Sequence, residues 1–131
     1  MRTLLAVVLI THPGAFHVTT ETLTGGITDP VERLALYSGR PPNDQVEPRA
    51  HQVIAIVMEQ EPPASVNDFP PRPHRFRLPR LRPIETFNGR RWAEIIFRDH
   101  RRAFYIFIGV GSRADGQVPA LLTALDSLRV G

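Results

Sequence analysis

Hydrophobic positions along this chain fall into a few runs of strand length and one stripe of helical spacing. Leu4 to Ile10 and Val53 to Met58 are continuous, β-branched apolar stretches bounded by polar or turn-forming residues, as expected of buried strands. Ala103 to Val110 (AFYIFIGV) is apolar at nearly every position, the pattern of a central strand covered on both faces. Trp92 to Phe97 precedes it across the charged Arg98-Asp99-His100-Arg101. Upstream, Phe87-Asn88-Gly89-Arg90 is a hairpin signal, because Asn and Gly accept the positive φ of a type I′ turn. Downstream, Val118, Leu121, Leu122, Leu125 and Leu128 recur at helical spacing. Ile84 to Val130 therefore reads as three antiparallel strands and a closing helix. Asp115 or Gly116 is the expected N-cap, with Pro119 in the first turn. Leu121, Leu122, Leu125 and Leu128 should face the sheet, and Asp126 and Arg129 should face water.

The first half is less regular. Phe16 to Thr20 is extended in composition, between breaks at His12-Pro13-Gly14 and Thr24-Gly25-Gly26. Asp29 to Tyr37 admits two readings. Asp29 and Pro30 suit the N-cap and first position of a short helix, whereas Arg33 to Ser38 suits a strand, and the strand is preferred. Residues 62–83 hold seven of the thirteen prolines, which excludes helix and favours extended backbone. Within that segment Phe76 and Leu78 can face a core while Arg75 and Arg77 face out, an edge-strand pattern. The expected architecture is one α+β domain over residues 1–131. It has a mainly antiparallel sheet of about six or seven strands, with the C-terminal helix packed on one face.

Register decides which side chains share a face. A two-residue loop at Asp99-His100 pairs Ile95 with Phe104 and Ala93 with Ile106 on one face, and Trp92 with Phe107 and Glu94 with Tyr105 on the other. A three-residue loop moves Glu94 toward Ile106 or Phe104, which is less favourable. The first register is the expectation. It leaves Trp92, Tyr105 and Phe107 together on the face away from the helix.

Composition removes whole classes of chemistry. There is no cysteine, hence no disulfide, thiolate nucleophile or zinc–cysteine site. All sixteen basic residues are arginine, for which coding bias is the simplest account and bidentate anion recognition the functional one. Residues 1–66 carry a net charge of −3 and residues 67–131 a net +6. Met1-Arg2 followed by LLAVVLI imitates a signal peptide, but the run is short, lacks a cleavage site and falls well below the roughly 20 residues that span a bilayer. A buried strand and a cytoplasmic protein are the expectation, with an exported or membrane-associated form the alternative if the start is truncated.

Three pieces, FPPRPHRFRL (Phe69 to Leu78), FRDHRRAFYIFIGVG (Phe97 to Gly111) and LDSLRV (Leu125 to Val130), resemble in this order small domains of high-GC bacteria that have no assigned activity. The resemblance covers the last half of the chain and carries no catalytic residue with it. In strand–helix layout the chain is also similar to Mog1/PsbP-like α+β domains, a likeness of fold and not of function.

Candidate chemistry is sparse. Arg72, Arg75, Arg77, Arg80 and Arg82 alternate with His74 and Phe76 and could meet phosphates and bases, but a net charge of +3 is far below the footprint of nucleic-acid binders, so nucleic acid is not the expected partner. Asp99 and His100 lie side by side without a third group to make an acid–base site. The five histidines show no ligand spacing. Gly109 and Gly111 lack the rest of a dinucleotide fingerprint, and no serine has a nucleophile-elbow context. No catalytic residue, metal ligand or cofactor is assigned. The leading reading is a non-catalytic interaction or accessory domain that engages a protein partner, or a second copy as a homodimer. Its surface would comprise Trp92, Tyr105, Phe107, Arg75 and Arg77. The alternative is a small-ligand binder or enzyme with a pocket between the sheet and the Pro-rich segment, using Arg75, Arg77 or His100. A weaker one is an anion or nucleic-acid binder.

Overall fold

Two of the long apolar runs of the chain, Val53 to Met58 and Ala103 to Val110, lie side by side at the centre of a sheet. The computed structural model describes residues 8–10, 16–19, 30–38, 48–60, 66–83 and 91–130. Their elements are β1 (Val8–Ile10), β2 (His17–Thr19), β3 (Pro30–Tyr37), β4 (Val53–Gln60), β5 (Arg82–Pro83), β6 (Arg91–Asp99), β7 (Arg102–Val110), α1 (Val118–Asp126) and β8 (Leu128–Val130). Single 3₁₀ turns occupy Val66–Asp68 and Asp115–Gln117. The main sheet has six strands in the order β2-β3-β4-β7-β6-β5, and β1 pairs with β8 in a separate two-stranded ladder. Every ladder is antiparallel. The α+β class and the antiparallel sheet with a C-terminal helix are as expected from the sequence, and the ambiguous segment at 30–37 is a strand.

β4 and β7 each have a neighbour on both sides, and Val53 to Val57 are buried without interruption. β6, one strand further out, alternates instead: Ala93, Ile95 and Phe97 are buried while Glu94 and Ile96 are exposed. On one face of the sheet Leu34, Leu36, Val53, Ala55, Val57, Ile95, Phe97, Phe104, Ile106 and Ile108 form the core with Val118, Leu121, Ala124 and Leu125 of α1.

Three expectations need correction. The β6–β7 turn is His100-Arg101, not Asp99-His100, because Asp99 pairs with Arg102. Ile95 therefore meets Ile106, Glu94 meets Phe107, and Trp92 lies opposite Gly109. His100 and Arg101 have φ of 51° and 61°, the paired left-handed conformations of a type I′ turn without its usual Asn-Gly. This register places Phe97 opposite Phe104, whose rings stack at 5.2 Å, an aromatic pair the expected register would have lost. The slip is of two residues, an even number, so the division of side chains between faces is preserved.

Second, the leucine stripe is divided between two elements. α1 begins at Val118 with Gln117 as N-cap, includes Pro119 in its first turn and ends at Asp126. Leu128 is buried in β8, not in the helix, and β8 pairs through Val8↔Val130 and Ile10↔Leu128. A period-2 strand directly after a helix continues the apolar spacing closely enough to imitate one more turn. Asp126 does not simply face water: its Oδ1 accepts the Phe76 N–H at 2.8 Å.

Third, residues 75–78 do not form an edge strand. Phe76 is buried while Arg75 and Arg77 are exposed, as the alternation predicted, but no ladder forms there. The Pro-rich segment is instead a strap around the open edge of β6. Arg98 N–H donates to Pro70 O at 2.7 Å and Arg72 N–H donates to Arg98 O at 2.9 Å, a single parallel bridge. On one side of that crossing Phe69 lies edge-on to Tyr105, and on the other Phe76 lies edge-on to Phe97. The Phe87-Asn88-Gly89-Arg90 turn lies outside the described residues, although the strands flanking it, β5 and β6, do pair.

Gly111 is required by close approach of backbone. Its N–H donates to Gln52 O at 2.8 Å, and a Cβ there would run into the carbonyl oxygens of Arg49 and Ala50. Gly111→Ala should destabilise the fold by at least the upper end of the ~1–3 kcal/mol typical of overpacking, because the obstacle is backbone. A thermal melt by circular dichroism checks this, with a Tm unchanged from wild type excluding the tight approach. Leu125 is fully buried between helix and sheet. Leu125→Ala should cost ~2–5 kcal/mol in urea unfolding with the m-value retained.

Candidate interaction surface

The second face of the sheet is built by the residues that alternate with the core. β4 contributes Ile54, Ile56 and Met58, β7 contributes Tyr105 and Phe107, β6 contributes Trp92, Glu94 and Ile96, and β3 contributes Tyr37. Ile54 and Ile56 are buried, and Tyr37, Met58 and Phe107 pack against them only half-buried. Trp92 stacks on Phe107 with ring centroids 6.1 Å apart and planes 14° from parallel. Gly109, directly opposite Trp92, presents no side chain to compete for that space. The Arg82 guanidinium lies 5.8 Å from the centre of the Trp92 ring, a cation–π contact. Ile96, 38 % exposed, is the exposed large hydrophobic among the described residues.

Trp92, Tyr105 and Phe107 thus do share one face. Arg75 and Arg77 are exposed on either side of Phe76, whose ring packs on Phe97 at the helix-bearing face. The arginine that lies over Trp92 is Arg82, which sequence reasoning did not include in the surface. Sequence reasoning also missed Ile96 as part of the surface, and placed Glu94 on this face without counting it in the surface. The alternation of β6 is the signal that finds them: with Ala93, Ile95 and Phe97 inward, Trp92, Glu94 and Ile96 are outward together.

The hairpin end of the sheet is polar and closely paired. Glu59 and Arg102 form a bidentate ion pair, Nε to Oε2 at 2.7 Å and Nη2 to Oε1 at 2.5 Å, with side chains 6 % and 14 % exposed. Arg72 is a clasp between three segments. Nη1 donates to Asp99 Oδ2 at 3.1 Å and to Leu128 O at 2.6 Å, Nη2 donates to Asp126 O at 3.2 Å, and the guanidinium lies over the Phe76 ring. It thereby ties the strap to the hairpin and covers the carbonyls left open where α1 ends and β8 begins. At the other end of β6, Arg91 pairs with Asp115, and that hydrogen bond holds the Asp115 carboxyl below the usual carboxylate range and raises Arg91.

This arrangement does not assemble acid–base chemistry. Asp99 Oδ1 meets His100 Nδ1 at 2.7 Å, but His100 is largely exposed on the turn and the other Asp99 oxygen is held by Arg72. Among the described residues no group of three His, Asp or Glu side chains could hold a metal ion. Nor is any helix among them long and apolar enough to cross a membrane. No protein-family model, curated protein or solved structure matches the chain.

The Glu59–Arg102 pair yields a stability test. Glu59→Gln removes the bidentate carboxylate from a mostly buried guanidinium and should cost up to ~3–5 kcal/mol, whereas the double replacement Glu59→Leu/Arg102→Met should recover most of that loss. Urea unfolding of the three proteins measures the difference. Equal losses in the single and double variants would show that the pair contributes by packing and not by charge.

Proposed function

We propose that this is a non-catalytic interaction domain whose working surface is the second face of the sheet and whose first partner is another copy of the chain. The observation that carries the reading is the state of that face at β6. Ile96 is exposed and Trp92 and Phe107 remain half-buried, although the strands beside them need cover on both sides. The face also bears charges of both signs, with Glu94 exposed between Trp92 and Ile96, and Arg82 over the indole. A two-fold axis through such a face can bring Glu94 of one copy to Arg82 of the other, while stacked aromatic rings fill the centre. Trp92 is the natural anchor, since it is the one tryptophan of the chain and aromatic residues dominate interface energetics.

Sedimentation at micromolar concentration tests the proposal against the 14.7 kDa of the single chain. The expected result is a dimer that Ile96→Asp converts to a folded monomer, and that Trp92→Ala weakens by about tenfold or more. Glu94→Arg should also weaken it, with recovery on adding Arg82→Glu. A clean monomer at that concentration overturns self-association.

A further inference from the structure

A different observation concerns the outer end of the β6–β7 hairpin. There the strap and the turn enclose a groove of ≈ 630 Å³ lined by Val66, Asn67, Pro71, Arg72, Arg98, Asp99, His100 and Arg101. Its charges do not balance. Asp99 is held by Arg72 and His100, Glu59 of β4 is held by Arg102, and Asp68, next to Asn67, is exposed and forms no ion pair with the groove's arginines. Arg98 and Arg101 have no acidic partner among the described residues. Arg101 is exposed. Arg98 is half-buried, and one described bond, Nη1 to Phe69 O at 2.5 Å, positions its guanidinium while leaving the other N–H donors free. A half-withdrawn guanidinium without a counter-charge is destabilising by itself and is resolved by an anion. Asn67, which also lines the groove, carries a neutral amide.

We infer that this groove binds a small phosphate-bearing molecule, with Arg98 as the fixed ligand and Arg101 and His100 closing over it from the turn. The planar guanidinium fork matches two phosphate oxygens at once. The volume lies within the roughly 300–1,000 Å³ of small-molecule sites. A nucleic acid is the poorer fit. It needs a basic track several phosphates long, whereas the exposed Arg75 and Arg77 are not among the residues that line this groove. The inference does not depend on the dimer, because the groove lies at the hairpin tip and its charges exist in one copy.

The experiment is a titration of the full chain with inorganic pyrophosphate at low salt, following the arginine Nε–Hε resonances by nuclear magnetic resonance. Saturable binding that shifts Arg98 is expected. Arg101→Gln, at an exposed side chain without a described partner, should weaken binding by about tenfold while leaving the melting temperature unchanged. Arg98→Lys should weaken it further because the fork is lost, and Arg113→Gln, at an exposed arginine outside the groove, should have no effect. Absence of saturation, or equal affinities for the Arg101 and Arg113 variants, overturns the site. A single-stranded oligonucleotide that binds more tightly than pyrophosphate and shifts Arg75 and Arg77 as well overturns the small-ligand assignment in favour of nucleic acid.

Discussion

β4 and β7 are apolar on both sides, and a strand of that kind has to be covered twice. Much of the remaining structure answers that requirement. On one face the answer is complete: α1, β8 and Phe76 of the strap close over Val57, Phe97, Phe104 and Ile106. On the other face it is partial. Ile54 and Ile56 are sealed by Tyr37, Met58 and Phe107, but toward β6 the cover thins until Ile96 is exposed. The proposed partner surface is the place where the described residues stop supplying a second layer.

The strap makes the completed face possible. An extended Pro-rich segment cannot donate along its whole length, so it pairs with β6 only in short pieces. Its end supplies the two residues of β5, and upstream it makes one bridge, at Arg98, and attaches through side chains: Phe69 on one side of the edge, Phe76 on the other, and Arg72 reaching the end of α1. The free edge of β6 is thereby occupied without a continuous ladder, which also blocks edge-to-edge pairing. The same attachment draws Asp99 and Asp126 to Arg72 and Phe76 and leaves Arg98 beside the turn without an acidic partner among the described residues. Fold closure and the unbalanced charge of the hairpin tip therefore have one origin.

Among the described residues the arginine ion pairs act at the joints between elements. Glu59–Arg102 links β4 to the start of β7, Arg91–Asp115 links β6 to the turn before α1, and Arg72 links strap, hairpin and β8. Arginine suits each joint, since one guanidinium can satisfy carboxylates and backbone carbonyls in a single plane while its face rests on an aromatic ring. The preponderance of arginine thus has structural uses, whatever coding bias underlies it.

The sequence by itself determined the elements whose signal is local. The unbroken apolar run at Ala103 to Val110 specified a central strand, the alternation from Arg75 to Leu78 specified which side chains turn inward, and the helical spacing from Val118 to Leu125 specified the packing face of α1. The division of Trp92, Tyr105 and Phe107 from the core was legible too, because parity along a strand survives any even error in register. What tertiary structure decided depends on partners distant in sequence. Phe97 on Phe104 fixed the turn at His100-Arg101 against the Asn-Gly preference. A mate in β1 drew Leu128 out of the helical stripe into a strand. Arg82 and not Arg75 or Arg77 reached Trp92, because β5 pairs with β6 while the strap passes to the other face. Local spacing records which way a side chain points; what it meets there is set by contacts between elements that spacing does not encode.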